Sequence, residues 1–376
     1  MSGAAVGATR RVDWLELFFD LVFVVMVKQL TDLLRGDAGV AEFAEVAGIF
    51  LLAWLAWLNV TSFVNLSGGR SIDRRVPVLV SMAGVGLMAI AIPEATGGGA
   101  VLFVVGYSLA RVAMWPVWIV VNRGTERSAL LATLYGPGIA LLWILSILVP
   151  ESARLWVWAA LVALELILWV PRLARVSFGS LHLLERVGLF ILIVLGESVV
   201  GLILAAHIGQ SAQAWLVSAL GFVLICSIWW LYYQAGAPLA ERMLEHGSGP
   251  ALRDVIVVAH FFIVLGLIGI AAGLGSAIAH ADDATLPFGA LVALSGGAGL
   301  YHLSQVMVSW HYGIPPAHSA VLGLLAAAPC ALVLFGDELP PWTLVGVLVV
   351  HSAVQGLVSS QVTSRLHLLP RRSRPE

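Results

Sequence analysis

Apolar residues dominate the chain in runs of about 20, each long enough to cross a hydrocarbon core ~30 Å thick. Short clusters of Arg, Asp, Gly and Pro separate the runs. This pattern predicts twelve helical spans, at 14–34, 42–64, 76–93, 101–121, 128–149, 155–170, 185–206, 212–234, 254–274, 286–309, 318–335 and 341–361. Assigning the Lys and Arg residues outside the spans, with Arg186 and Arg365 at span ends, to alternate sides puts sixteen on the N-terminal side and only Arg35 and Arg154 on the other, with Lys28 and Arg111 inside spans. The positive-inside rule then places both termini in the cytoplasm, with an even number of spans.

The expected organisation is an all-α integral membrane protein of about 12 transmembrane helices, arranged as two parallel six-helix repeats. A cytoplasmic tail (1–12) precedes a first half (13–170), a cytoplasmic linker (171–184), a second half (185–361) and a basic cytoplasmic tail (362–376). The two halves share landmarks. Glu16 opens one and Glu185 the other, Trp54 and Trp57 have counterparts in Trp229 and Trp230, and Arg74-Arg75-Val76 matches Arg253-Asp254-Val255. With six spans per half, both halves insert the same way up. The first twelve residues lack the apolar core of a removable signal peptide and are expected to remain as the tail.

Composition narrows the function. Of 376 residues, 60% are hydrophobic and 11% charged, against roughly 25% charged in soluble domains, which excludes a soluble fold. A net charge of -2 without a basic block argues against nucleic acid as a partner and leaves the lipid bilayer as the expected one. Cys226 and Cys330 lie within apolar runs, so neither a disulfide framework nor a thiolate metal site is expected. The histidines stand at no metal-ligand spacing, and no phosphate-binding loop or nucleophile elbow is present. The expectation is therefore no metal, no cofactor and no ATP-driven step.

Charged groups at membrane depth cost about 2.5–3.5 kcal/mol each on insertion scales, so each one is a functional candidate. Asp20 follows Glu16 by one helical turn on the same face of the first span. Glu197, between Gly196 and Ser198, lies about 18 Å along the seventh span at the ~1.5 Å rise of a helix. Its candidate partners are His260 in the ninth span and Arg111 in the fourth. Glu165 is expected to snorkel to the surface, and the remaining histidines to make helix-to-helix hydrogen bonds. Tyr232 and Tyr233 fit an interfacial aromatic belt, whereas Trp54, Trp57, Trp229 and Trp230 lie deeper and need partners for their indole N–H groups.

These residues carry a family resemblance. The runs Trp14-Leu15-Glu16-Leu17-Phe18-Phe19-Asp20-Leu21-Val22-Phe23-Val24 and Glu185-Arg186-Val187-Gly188-Leu189-Phe190, the latter leading to Gly196-Glu197-Ser198, resemble the bacterial low temperature requirement A (LtrA) family. Trp54, Trp57, Asn65, Trp229-Trp230-Leu231-Tyr232-Tyr233 and His260 extend the resemblance from about Val12 to about Arg365. The chain departs from the family pattern where Asn65 is followed by Leu66-Ser67-Gly68-Gly69 and where Gln234 replaces an acidic residue, so roles needing carboxylates at those two edges are not carried over. The family name records growth in the cold and specifies no molecular activity.

Three readings stay open at this point. The first is a bacterial cytoplasmic-membrane transporter or channel for a small ion or solute, proton-coupled through intramembrane carboxylates. Asp20 and Glu197 would lie on its pathway, tuned by Glu16, His260 and Arg111, with Trp54, Trp57, Asn65, Trp229, Trp230 and Glu185 as secondary candidates. The second is an intramembrane enzyme in which a protonated Glu197 or Asp20 acts as general acid on a lipid or isoprenoid. The third is a non-catalytic structural or sensory role in adapting the membrane to cold. The sequence carries no marker of oligomeric state.

Overall fold

A helix surrounded by other helices must bury a full apolar stripe, and where it carries glycine it can approach a neighbour's backbone directly. The computed structural model, which describes residues 13–36, 38–66, 73–121, 133–173, 181–238, 255–311 and 316–367, is built from such helices. The described residues form two compact units, one comprising Met1–Leu33 and Ala44–Arg186, the other Leu34–Phe43 and Val187–Glu376.

In the first unit, α1 (Trp14–Leu33) buries Phe19, Asp20, Phe23, Met26, Val27 and Leu30 and turns Phe18, Leu21 and Val25 outward. Helix α2 (Val40–Leu66) supplies the centre of this core, with every residue from 52 to 64 buried. Trp54 and Trp57 stack within it, ring centres 4.9 Å apart. Helices α3 (Arg75–Ala91) and α4 (Ala100–Ala113) meet backbone to backbone at a pair of glycines. A methyl group at Gly84 would fall 2.6 Å from the Gly106 carbonyl oxygen, and one at Gly106 would fall 2.5 Å from that of Gly84. Helix α4 stops at Met114, just before Pro116 removes a backbone donor from the next turn. The short α5 (Trp115–Val121) follows. After a π-helical turn containing Pro137 come α6 (Ile139–Ser146) and α7 (Glu151–Leu173).

Helix α8 (Leu181–Ala205) begins in the first unit and continues into the second. Gly209, at φ +94, makes the turn that follows, and Ser211 caps α9 (Ala212–Leu231) by accepting from the Ala214 amide at 3.0 Å. The core of the second unit is α10 (His260–Ala279), buried nearly throughout. It packs on α12 (Gly297–His311) by the same backbone approach, a methyl at Gly266 falling 2.6 Å from the Gly297 carbonyl. The four-residue α11 (Phe288–Leu291) precedes α12 through a π-helical turn. Helices α13 (Pro316–Phe335) and α14 (Pro341–His367) complete the unit.

The expectation of about 12 transmembrane helices in two parallel six-helix repeats, with both termini cytoplasmic, is overturned. Among the described residues seven helices are long and apolar enough to cross a membrane: Val40–Val64, Arg75–Glu94, His182–Ala205, Ala212–Gln234, Ile256–Ala279, Ser319–Glu338 and Pro341–Ser360. The remaining runs fall short for physical reasons. Helix α1 carries Glu16, Asp20, Lys28 and Asp32, α7 carries Glu151, Arg154 and Glu165, and the apolar helices Ala100–Ala113 and Leu134–Ser146 are too short. The argument for both termini on one side needed an even count, and seven removes it. Much of the arginine asymmetry, including Arg10, Arg11, Arg70, Arg123, Arg127, Arg175, Arg242, Arg253, Arg371, Arg372 and Arg374, lies outside the described residues.

The glycine contact makes a direct prediction. Gly84→Ala should lower stability against thermal unfolding in detergent by about 1–3 kcal/mol through overpacking. Gly86→Ala, where an added methyl meets nothing within 4 Å, should be neutral or slightly stabilising. Equal effects at both positions would show that the α3–α4 contact is not closely packed.

Candidate functional site

Two buried polar clusters organise the first unit. In the first, α1 offers Glu16 and Asp20 from successive turns, while α8 offers His182 and Arg186 with the same four-residue spacing. The Arg186 guanidinium grips Asp20 with two bonds, Nη2 to Oδ1 at 3.0 Å and Nε to Oδ2 at 3.3 Å, the planar fork that favours arginine over lysine. The Trp57 indole donates to Asp20 Oδ1 at 2.8 Å. Glu16 Oε2 lies 3.0 Å from His182 Nε2 and 3.8 Å from Arg186 Nη1. The guanidinium also sits over the Trp57 and Phe19 rings, at 5.4 and 5.8 Å, so indole and benzyl faces shield its positive charge. Asp20 and Arg186 have no exposed surface, and Glu16 and His182 retain only 3% and 6%. Two carboxylates, a guanidinium and an imidazole thus share a space closed to water. His182 Nδ1 and Arg186 Nη1 make no hydrogen bond there, which leaves the cluster with spare donor capacity.

The second cluster is charge-matched, with Arg111 Nε left without a hydrogen bond. Arg111 pairs with Glu165, Nη1 to Oε2 at 2.8 Å. The Tyr107 hydroxyl donates to Glu165 at 2.8–2.9 Å, and the Trp143 indole donates to Oε1 at 2.6 Å. Arg111 Nη1 donates to the Tyr107 hydroxyl oxygen at 3.1 Å and Nη2 to the Tyr135 carbonyl at 3.4 Å, and the guanidinium lies over the Tyr135 ring at 4.8 Å. One positive and one negative charge cancel within a ring of hydrogen bonds, the arrangement that makes a buried pair tolerable.

These findings correct two expectations. Glu165 does not snorkel; it has no exposed surface. The ion pair of Arg111 is with Glu165 rather than Glu197. Glu197 is half-buried on α8, and Glu185 is exposed near its start. A methyl group added at Gly196, beside Glu197, would meet nothing within 4 Å, whereas one at Gly201 would fall 3.3 Å from Arg35 Nη2. His260 pairs with the Tyr232 hydroxyl at 2.9 Å, so Tyr232 is a buried partner rather than part of an interfacial belt. Tyr233 donates to the Gly188 carbonyl at 2.6 Å. Trp229 and Trp230 are exposed, while Trp54 and Trp57 are buried. The Asn65 side chain lies outside the described residues.

Arg186, His182 and Glu165 are the site residues that reading the chain as separate spans overlooks. Arg186 counts there as a loop-end cation, and His182 falls in the linker. The recoverable signal is the pairing of His182 with Arg186 at i,i+4, which puts two cationic side chains on one face of α8 just as Glu16 and Asp20 put two anionic ones on α1.

Several membrane-length apolar helices, with buried polar clusters among the helices, define a multispanning helical membrane protein. The chain belongs to the bacterial low temperature requirement A family, whose model, described as bacterial low temperature requirement A protein (LtrA), matches residues 11–353. It is also similar to an uncharacterized protein of Rhizobium meliloti (strain 1021), 27% identical over 361 residues, which cover 90% of this chain and 87% of the relative.

Removing one member of the charge-matched cluster should leave a buried charge without its counterion. Glu165→Ala is expected to destabilise the protein by about 3–5 kcal/mol, and Glu165→Met combined with Arg111→Met to recover most of that loss. Unfolding in detergent measures both. A mild single variant, or a double variant worse than either single change, would contradict the tether.

Proposed function

We propose that this protein is a multi-pass transporter or channel of the bacterial cytoplasmic membrane for a small ion or solute, and that Asp20, Glu16, His182 and Arg186 form its charge-handling site. The observation that carries the reading is the charge imbalance of that cluster, two carboxylates and an imidazole around one guanidinium. The Arg111–Glu165 pair has every charge matched and a ring of donors around it, as a tether requires. The cluster on α1 and α8 gathers four ionisable side chains against the Trp54–Trp57 stack, with more carboxylates than guanidinium groups. Burying extra ionisable groups is costly, and it is justified where charge must be received and released. Arg186 would hold Asp20 in place, and Glu16 with His182 would exchange the proton or cation that couples movement. Glu197 and His260 are kept as further candidates in the second unit. Arg111 belongs instead with the tether.

Proton and monovalent-cation flux in proteoliposomes under a defined membrane potential tests the proposal. Wild-type protein should exceed empty liposomes. Asp20→Asn and Glu16→Gln should each reduce the flux by roughly tenfold or more, the equivalent of about 1.4 kcal/mol on the rate-limiting barrier. Trp230→Phe, at an exposed position, should leave it unchanged. Wild-type flux equal to empty liposomes, or full flux in both carboxylate variants, would refute the reading.

A further inference from the structure

The second unit holds a group of buried donors that the α1–α8 cluster does not involve. His302 on α12 and His351 on α14 lie together, ring centres 4.6 Å apart and planes at 84°. His302 is 1% exposed, and its Nε2 lies 3.3 Å from the Ser352 hydroxyl. Gln355, also 1% exposed, follows His351 by one helical turn and so shares its face of α14. His302 Nδ1, His351 Nε2 and Gln355 Oε1 are all buried and make no hydrogen bond. An unsatisfied buried polar atom costs about 1–3 kcal/mol, and three on adjacent side chains call for a common partner.

We propose that His302, His351 and Gln355 form a binding site for a d10 transition-metal cation, Cu(I) or Zn(II). Two imidazole nitrogens and one amide oxygen suit late first-row ions and not Mg2+ or Ca2+, which require a shell of oxygens. The ring geometry agrees. With a metal–nitrogen bond of about 2.0–2.1 Å, the ion lies ~3.2 Å from each imidazole centre. Centres 4.6 Å apart then subtend roughly a right angle at the ion, within the range of a four-coordinate site. Among the described residues no third His, Cys, Asp or Glu joins the pair, so the protein donors are neutral and the fourth position falls to a water. A low-charge ion suits that neutral, buried set best, because no anion offsets its desolvation.

The test uses full-length protein in detergent, stripped of metal. One sample is titrated anaerobically with Cu(I) against a competing chelator, another with Zn2+, and bound metal is measured after gel filtration. One equivalent of at least one ion should bind, the tighter of the two identifying the ion. His302→Gln and His351→Gln should each weaken binding by roughly tenfold or more, whereas His280→Gln, at a solvent-facing pair with Asp283, should not. Should either variant fail to fold, X-ray absorption at the metal edge of the loaded wild type decides, a shell containing two imidazoles supporting the site. No stoichiometric binding, binding unaffected by both buried substitutions, binding lost with His280→Gln, or a metal shell without imidazole would overturn the proposal and leave a bridging water as the partner of these atoms.

Discussion

The constraint on which this structure depends is the cost of a charge removed from water. An ion in an apolar interior is tolerated only when an opposite charge and a set of hydrogen-bond donors or acceptors reach it in good geometry. In the first unit the Asp20–Arg186 fork meets that demand, with Trp57 as a third donor and aromatic faces over the guanidinium. The apolar stripe of α1, the buried centre of α2 and the first turns of α8 are arranged around it. The glycine contact of α3 with α4 brings Ser81 Oγ within 2.9 Å of the Ala110 carbonyl, and α4 in turn presents Tyr107 and Arg111 to the second cluster.

The same constraint has been met in two ways within one unit. Around Glu165 every charge is answered, and Trp143 and Trp158 extend the network through Ser146, which accepts from the Trp158 indole at 3.0 Å. Such a network fixes helices and has little left to offer a ligand. Around Arg186, two carboxylates and an imidazole share one guanidinium. Charge imbalance, rather than the presence of buried charge, separates a working site from a tether.

Helical class, membrane character and family membership were legible in the sequence, because each rests on long apolar runs and on motifs around Glu16, Asp20 and Glu197. The number of membrane-crossing helices was not. Hydropathy scores a run without knowing that Pro116 ends α4 or that a π-helical turn precedes α6, and it counts α1 as a span although four of its side chains are charged. Asp20, Glu16 and Trp57 stood out as candidates, yet their cation did not, since Arg186 sits at a helix start where a surface role also accounts for it. Glu165 was misread for a related reason: its depth is set by Tyr107 and Trp143, residues far from it in the chain. Pairings between distant helices leave no local periodicity to read.

The most direct test of the central claim is to neutralise the Asp20–Arg186 pair of the α1–α8 cluster and to measure folding and flux on the same preparation. Replacing Asp20 with Asn and Arg186 with Gln in one chain cancels the pair while leaving two neutral amides in its place. The account predicts a protein that unfolds close to the wild-type temperature in detergent yet carries no ion flux above empty liposomes. A doubly substituted protein that transports as well as the wild type would show the cluster to be a tether like the one around Glu165, and the proposed site would be wrong.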